Sequence, residues 1–121
     1  MRLKKLPYNF TICKLSDISA VDFTDDFCFF AKTDEELSLV CRTEKVPPNA
    51  TYRDDGWKAF RIQGELDFAL VGILSEIAVL LAANKISIFA VSTYNTDYVL
   101  TKAADFETAL NVLKDAGYEV V

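Results

Sequence analysis

The switching period of hydropathy over residues 57–121 constrains the fold more than any other feature of the chain. Residues 57–63 alternate, with Phe60 and Ile62 on one side and Lys58 beside them, as a half-buried strand requires. Gly64-Glu65 then breaks the strand. Asp67 can cap a helix, its carboxylate accepting a free N–H of the first turn, and Leu66 and Val71 stand where a hydrophobic staple needs them. Leu70, Leu74, Ile77, Ala78 and Leu81 recur at helical spacing, Ile73 and Leu80 widen that stripe toward a second surface, and Asn84 offers a left-handed stop. Residues 86–93 are apolar on both faces, Tyr94-Asn95-Thr96 turns the chain, and residues 97–102 form the next strand. Asp105 can cap a second helix striped by Phe106, Ala109, Leu110 and Leu113; Gly117 ends it, and residues 118–121 make a last strand. The order βαββαβ predicts an α+β, ferredoxin-like sandwich.

The first half reads as strands at 8–15, 27–32 and 37–42, the last two joined by a hairpin turn at Thr33-Asp34-Glu35-Glu36. Residues 16–26 have room for one helical turn and no more. Pro47-Pro48-Asn49 blocks helix and ladder, and Asp54-Asp55-Gly56 reads as a turn, so residues 44–56 read as a connector. The expected organisation is a mostly β half over 1–46, a linker over 47–56 and the sandwich over 57–121. Leu37-Ser38-Leu39-Val40 echoes Ile86-Ser87-Ile88-Phe89; duplication and chance similarity between strands both account for so short a match.

Composition narrows the functions. The chain has 121 residues and a formal charge of −5, from 13 basic and 18 acidic side chains. Such a surface repels phosphate backbones and anionic membranes, so neither nucleic acid nor membrane is an expected partner. The apolar run at 68–83 contains Ser75 and Glu76 and is shorter than the ~20 residues of a membrane span. Histidine is absent, which removes the commonest general base and nitrogen metal ligand. Cys13, Cys28 and Cys41 form no C-x-x-C pair and sit among apolar residues, as buried, reduced thiols of a cytoplasmic protein would. Asp25-Asp26, Glu35-Glu36 and Asp54-Asp55 fall in expected turns and read as solvated loop charge rather than metal or acid–base pairs. No metal and no cofactor is expected.

Gly72-Ile73-Leu74, followed by Ile86-Ser87-Ile88-Phe89-Ala90-Val91-Ser92-Thr93-Tyr94-Asn95-Thr96-Asp97-Tyr98-Val99-Leu100, resembles the ACT-type amino-acid sensor proteins, especially their small bacterial two-part members. Leu37-Ser38-Leu39-Val40-Cys41, ahead of a proline-containing segment, is similar to the matching part of their first half. The resemblance implies two ACT-like halves, the first degenerate, and amino-acid binding at the seam between modules without turnover. The ligand-contact positions it brings forward are Ser38, Leu39, Val40, Leu70, Val71, Gly72, Ile73, Thr93, Asn95, Thr96 and Asp97. Some relatives of this kind carry a carboxylate shortly before the helix glycine, where this chain has Leu70 and Val71.

A free amino acid brings an ammonium and a carboxylate, and burying either without a partner is costly. Asp97 is the candidate anion for the ammonium. The N-terminus of the expected helix over 67–84 offers amides and a favourable dipole to the carboxylate. Gly72 permits a close backbone approach there, and Ser38 offers a hydroxyl. Turn stabilisation by Asp97, helix-on-sheet packing at Gly72 and an outward strand position for Ser38 are the structural alternatives. The strand over 86–93 is long, uncharged and free of proline, and at a sheet edge it would template aggregation. It is therefore expected to be covered by residues 37–42 of the first half or of a second chain, in a homodimer. Three functions stay open: a ligand-binding regulatory module with a small-molecule ligand and an unidentified protein partner; a structural or interaction domain without ligand; and, least supported, a small enzyme, for which no histidine, phosphate loop or nucleophile elbow is present.

Overall fold

The computed structural model describes residues 1–63 and 72–121. The expected strand break at Gly64-Glu65, the Asp67 cap, Leu66 and the ligand-contact positions Leu70 and Val71 lie outside the described residues. In chain order the elements are β1 (Arg2–Lys5), β2 (Phe10–Leu15), β3 (Cys28–Lys32), β4 (Leu37–Arg42), a single 3-10 turn (Thr43–Lys45), β5 (Ala50–Gln63), α1 (Ile73–Ala83), β6 (Ile88–Ser92), β7 (Asp97–Lys102), α2 (Ala103–Asp115) and β8 (Glu119–Val120). They form two compact units. One joins Met1–Pro7 to Lys58–Val121 and holds both helices; the other is Tyr8–Trp57.

In the helical unit the predicted α+β order is present: the end of β5, α1, β6, β7, α2 and β8. Its strands lie in the order β6-β7-β5-β1-β8. Phe60, Ile62, Val99, Ile77, Leu81, Phe106, Ala109, Leu110 and Leu113 form its core, so the predicted stripes do face the sheet. β1 was not foreseen. It pairs antiparallel with β5 and parallel with β8, and its Leu3, opposite Ile62, is fully buried. Arg-Leu-Lys-Lys carries a single apolar residue, too few to show a period.

The helix ends follow local chemistry. After α2, the N–H of Tyr118 reaches the carbonyl of Leu113 at 3.0 Å and that of Gly117 reaches Lys114 at 2.9 Å, with Gly117 at φ +102°. This is the left-handed stop expected there. α1 ends in the same motif, with Ile86 bonded to Leu81 at 3.0 Å, but the left-handed residue is Lys85 at φ +60°, one position after the expected Asn84. Asn84 instead donates its side-chain amide to the carbonyl of Leu80. Asp105 is not a cap either. α2 starts at Ala103, and Asp105 lies within its first turn, where the dipole still favours it.

The helix-poor unit orders its strands β3-β4-β2-β5. Counted by succession within the unit this is 2-3-1-4. The helical unit, with β1 set aside, has the same order. The two hairpins agree residue for residue at a spacing of sixty: Cys28 faces Cys41 and Lys32 faces Leu37 in one, while Ile88 faces Thr101 and Ser92 faces Asp97 in the other. Each closes with the same bond, Thr33 N–H to Glu36 and Thr93 N–H to Thr96, both 2.9 Å. Arg42 and Lys102 then take nearly identical backbone angles ahead of the 3-10 turn and α2 respectively. The echo of Leu37-Ser38-Leu39-Val40 therefore falls on Asp97-Tyr98-Val99-Leu100, not on residues 86–89. Four similar strand residues cannot fix a register; the hairpin does.

Two further expectations change. The connector over 44–56 is the 3-10 turn, Pro47 and Pro48, and then β5, which begins at Ala50 and runs unbroken through Gly56. Asp54-Asp55-Gly56 is a bulge and not a turn. Gly56 has φ +83°, and the β2–β5 register slips between Phe10, opposite Trp57, and Ile12, opposite Asp54. Asp55 Oδ1 accepts from the fully buried Thr11 hydroxyl at 2.7 Å and from Arg53 at 3.0 Å, which pins the bulge. The cover expected for residues 86–93 is also not β4. Both edges of β4 are taken, by β2 and β3, so it has no hydrogen-bonding edge to offer.

In place of a first helix the helix-poor unit has a loop of side-chain-closed turns. Asp17 accepts from Ser19, Asp22 from Thr24, and Asp25 from the Arg42 guanidinium at 2.6 and 3.2 Å. These bonds hold all three carboxyls below the usual range. Arg42 also stands 4.9 Å over the Tyr8 ring.

Candidate functional site

The β6–β7 turn and the end of β5 meet in the helical unit. Thr93 closes the turn: its hydroxyl donates to the carbonyl of Thr96 at 2.7 Å and accepts from the Thr96 N–H at 3.3 Å. Thr96 ties the turn to β5 by donating its hydroxyl to the carbonyl of Ile62 at 2.6 Å. Beside that bond lies an open cleft of about 300 Å³ lined by Arg61, Ile62, Gln63, Asn95, Thr96 and Tyr98. The lower bound for small-ligand sites is about the same volume.

Strand alternation assigns the faces. Phe60, Ile62 and Val99 face the helices. Arg61, Gln63 and Tyr98 alternate with them and face the other way. Arg61 Nε donates to Gln63 Oε1 at 2.9 Å, which orients the guanidinium; among the described residues its two terminal nitrogens make no ion pair. Neither Arg61 nor Gln63 nor Tyr98 was singled out from sequence. The usable signal was their place in the alternation, an arginine and a glutamine out of phase with Phe60 and Ile62.

The sequence-derived contacts divide. Asn95 and Thr96 line the cleft. Thr93 supports it through the turn. Asp97 opens β7 opposite Ser92, is half-buried, and shares the parity of Val99, so it belongs to the helix side of the sheet. Gly72 stands at the N-cap of α1 with φ +92°, and its carbonyl takes the Glu76 N–H at 2.8 Å; Ile73 starts the helix and packs on the core. Ser38, Leu39 and Val40 belong to the helix-poor unit. There Leu39 and Val40 are buried, while Ser38 lines that unit's own cleft of about 270 Å³ with Lys14, Glu36, Arg53 and Asp54 among its neighbours.

The thiols and Tyr118 lie apart from this cleft. Cys13, Cys28 and Cys41 are free thiols, Cys13 and Cys41 buried. Burial raises all three and pushes Cys41 up to about 12. Burial and the neighbouring Glu76 push Tyr118 up to about 12. Among the described residues no cluster of three metal-ligating side chains occurs, and no helix is long and apolar enough to cross a membrane.

The family model for the ACT domain matches residues 52–115. The chain belongs to the ACT domain family. Its matched segment starts within β5 and ends at the last residue of α2. The crystal structure of protein Atu0741 from Agrobacterium tumefaciens is 32% identical, with a TM-score of 0.88 over 99% of this chain and 91% of that one. Aspartate kinase from Clostridium acetobutylicum, described as an allosteric enzyme, is similar at 15% identity and TM-score 0.63, over 94% of this chain and 33% of that one. A candidate C-terminal regulatory domain of aspartate kinase from Porphyromonas gingivalis matches at 19% identity and TM-score 0.57, over 93% and 92% of the two chains. The latter two likenesses are of fold. No curated protein matches the chain.

Proposed function

We propose that the chain is a regulatory module that binds a small molecule of the amino-acid class at the turn end of its ACT unit, and that it does not turn the ligand over. The observation that carries this reading is the cleft in which Asn95 and Thr96, both expected from sequence, stand beside Arg61 and Gln63. Membership of the ACT family supports a regulatory role. Asp97 and the first amides of α1, after Gly72 and at Ile73, lie on the opposite, helix side of the sheet and make a second proposed contact place, for an ammonium and a carboxylate, apart from the cleft. Ser38 is the proposed contact of the second cleft; its neighbours Leu39 and Val40 are buried and stand outside that lining. Free buried thiols and the lack of a membrane-spanning helix among the described residues support a cytoplasmic, reducing location.

Thermal unfolding in the presence of each of the twenty amino acids tests the reading. A ligand at 100 times its dissociation constant adds about 2.7 kcal/mol of stability. No shift with any of them would favour a structural or interaction domain without ligand.

A homodimer is part of the same proposal. Among the described residues β6 pairs with β7 alone, and its Ile-Phe-Ala-Val-Ser run has no charge or proline to blunt the other edge. A second copy adding its own β6 there would satisfy both edges. Light scattering on the eluting protein should give twice the chain mass; a monomer at every concentration would refute it.

A further inference from the structure

We propose that the Arg61 cleft holds a side-chain carboxylate, so that the effector of the ACT unit is an acidic amino acid. The inference rests on the amino-acid-binding reading and adds the charge class of the ligand.

The face of the helical unit's sheet turned away from the helices carries a column of cations. In the β1–β5 ladder Lys4 stands directly opposite Arg61, and Arg2 stands opposite Gln63, one step along the same face. Arg2 and Lys4 are exposed, while Leu3 between them points into the core with Ile62. Like charges directly opposed across a ladder cost stability. Among the described residues none of the three cations has an ion pair. Glu119 is the one acidic residue in register with β1, opposite Arg2, at the far side of β1 from Arg61. The positive column stands out further against a chain whose net charge is −5. The rest of the cleft lining, Gln63, Asn95, Thr96 and Tyr98, brings amide and hydroxyl groups and no acid. An anion fits such a site, and the orientation of Arg61 by Gln63 leaves a planar fork suited to a carboxylate.

The internal repeat supplies a comparison. In the helix-poor unit the second cleft includes Glu36 and Ser38, sixty positions before Thr96 and Tyr98. There Lys14 and Arg53 are accompanied by Glu36 and Asp54, so positive charge is balanced within the lining. The two places are built alike; among the described residues, the lining in the ACT unit includes Arg61 and no acid.

Calorimetric titration of the full chain with L-aspartate, L-glutamate, L-asparagine, L-glutamine and inorganic phosphate tests this. Aspartate or glutamate should bind, and its amide analogue should bind about tenfold more weakly or worse. Arg61→Gln should weaken the acidic ligand by at least about tenfold, and Lys4→Gln should weaken it as well. With no ligand, the melting temperature of Arg61→Gln should stay level or rise, because the repulsion from Lys4 is relieved. Equal affinity for acid and amide, phosphate binding as tight as that of the acids, or undiminished binding by Arg61→Gln would overturn the inference while leaving amino-acid sensing intact. A fall in the ligand-free melting temperature of Arg61→Gln would overturn it too, by making the guanidinium a structural group. Silence from all twenty amino acids would instead remove the amino-acid reading itself.

Discussion

Thr96 does two jobs in one place. Its hydroxyl is bonded to the Ile62 carbonyl, and its backbone closes the β6–β7 turn at the mouth of the cleft. Thr96→Val should therefore cost about 1 kcal/mol in urea unfolding, with no change in the denaturant slope; an unchanged midpoint would show the bond to be dispensable. The three thiols give a second residue-level expectation. Burial pushes Cys41 up to about 12 and raises Cys13 and Cys28 as well, so each carries less thiolate near pH 8 than a free thiol would. Alkylation of the native chain should be slow and should become fast on unfolding, and rapid native labelling of Cys41 would contradict the packing described here. Sequence alone made the thiols legible, because Phe27-Cys28-Phe29 and Leu39-Val40-Cys41 advertise burial. Arg61 was not legible as a cleft residue, since a charged residue on the polar face of a strand carries no signal until its cross-strand neighbours are known.

At the scale of the element, glycines with positive φ mark where the chain changes course. Gly117→Ala, at φ +102° in the stop after α2, and Gly56→Ala, at φ +83° in the β5 bulge, should each destabilise by about 1–2 kcal/mol. Open space around both positions makes backbone strain the only penalty. The first was readable as a helix stop. The second was misread because Asp54-Asp55-Gly56 has the composition of a turn, and only the pairing of β5 with β2 shows that the strand continues. The loop between β2 and β3 has its own pH signature. Hydrogen bonds from Ser19, Thr24 and Arg42 lower the pKa of Asp17, Asp22 and Asp25 in the folded state. Their contribution is thus present above the unfolded value, near 4, and is lost as pH falls through the folded value. Asp25→Asn should flatten the acid limb of a stability–pH profile below about pH 4; an unaltered limb would mean that the Arg42 pair contributes nothing. Strand β1 illustrates the limit of pattern reading, since Leu3 alone of its four residues is apolar.

For the whole molecule, the repeat is the organising fact. The same strand order and the same hairpin occur twice, sixty residues apart, once with two helices and once with a closed loop and a single 3-10 turn in their place. Sequence showed the complete copy because its helices carry long apolar stripes. It hid the exact relation between the copies because the degenerate one lacks those stripes, because β1 opens the chain yet belongs to the helical unit, and because β5 supplies strand residues to both units. The proposed ligand is placed at the turn end of the ACT unit because Arg61 in its cleft has no ion pair among the described residues. The most direct test is an amide-resolved NMR titration of the full chain with the amino acids that shift its melting temperature. The account predicts saturable shifts concentrated at residues 61–63 and 93–98, extending to the start of α1. Saturable shifts confined to other parts of the chain, with these two segments unmoved, would contradict it.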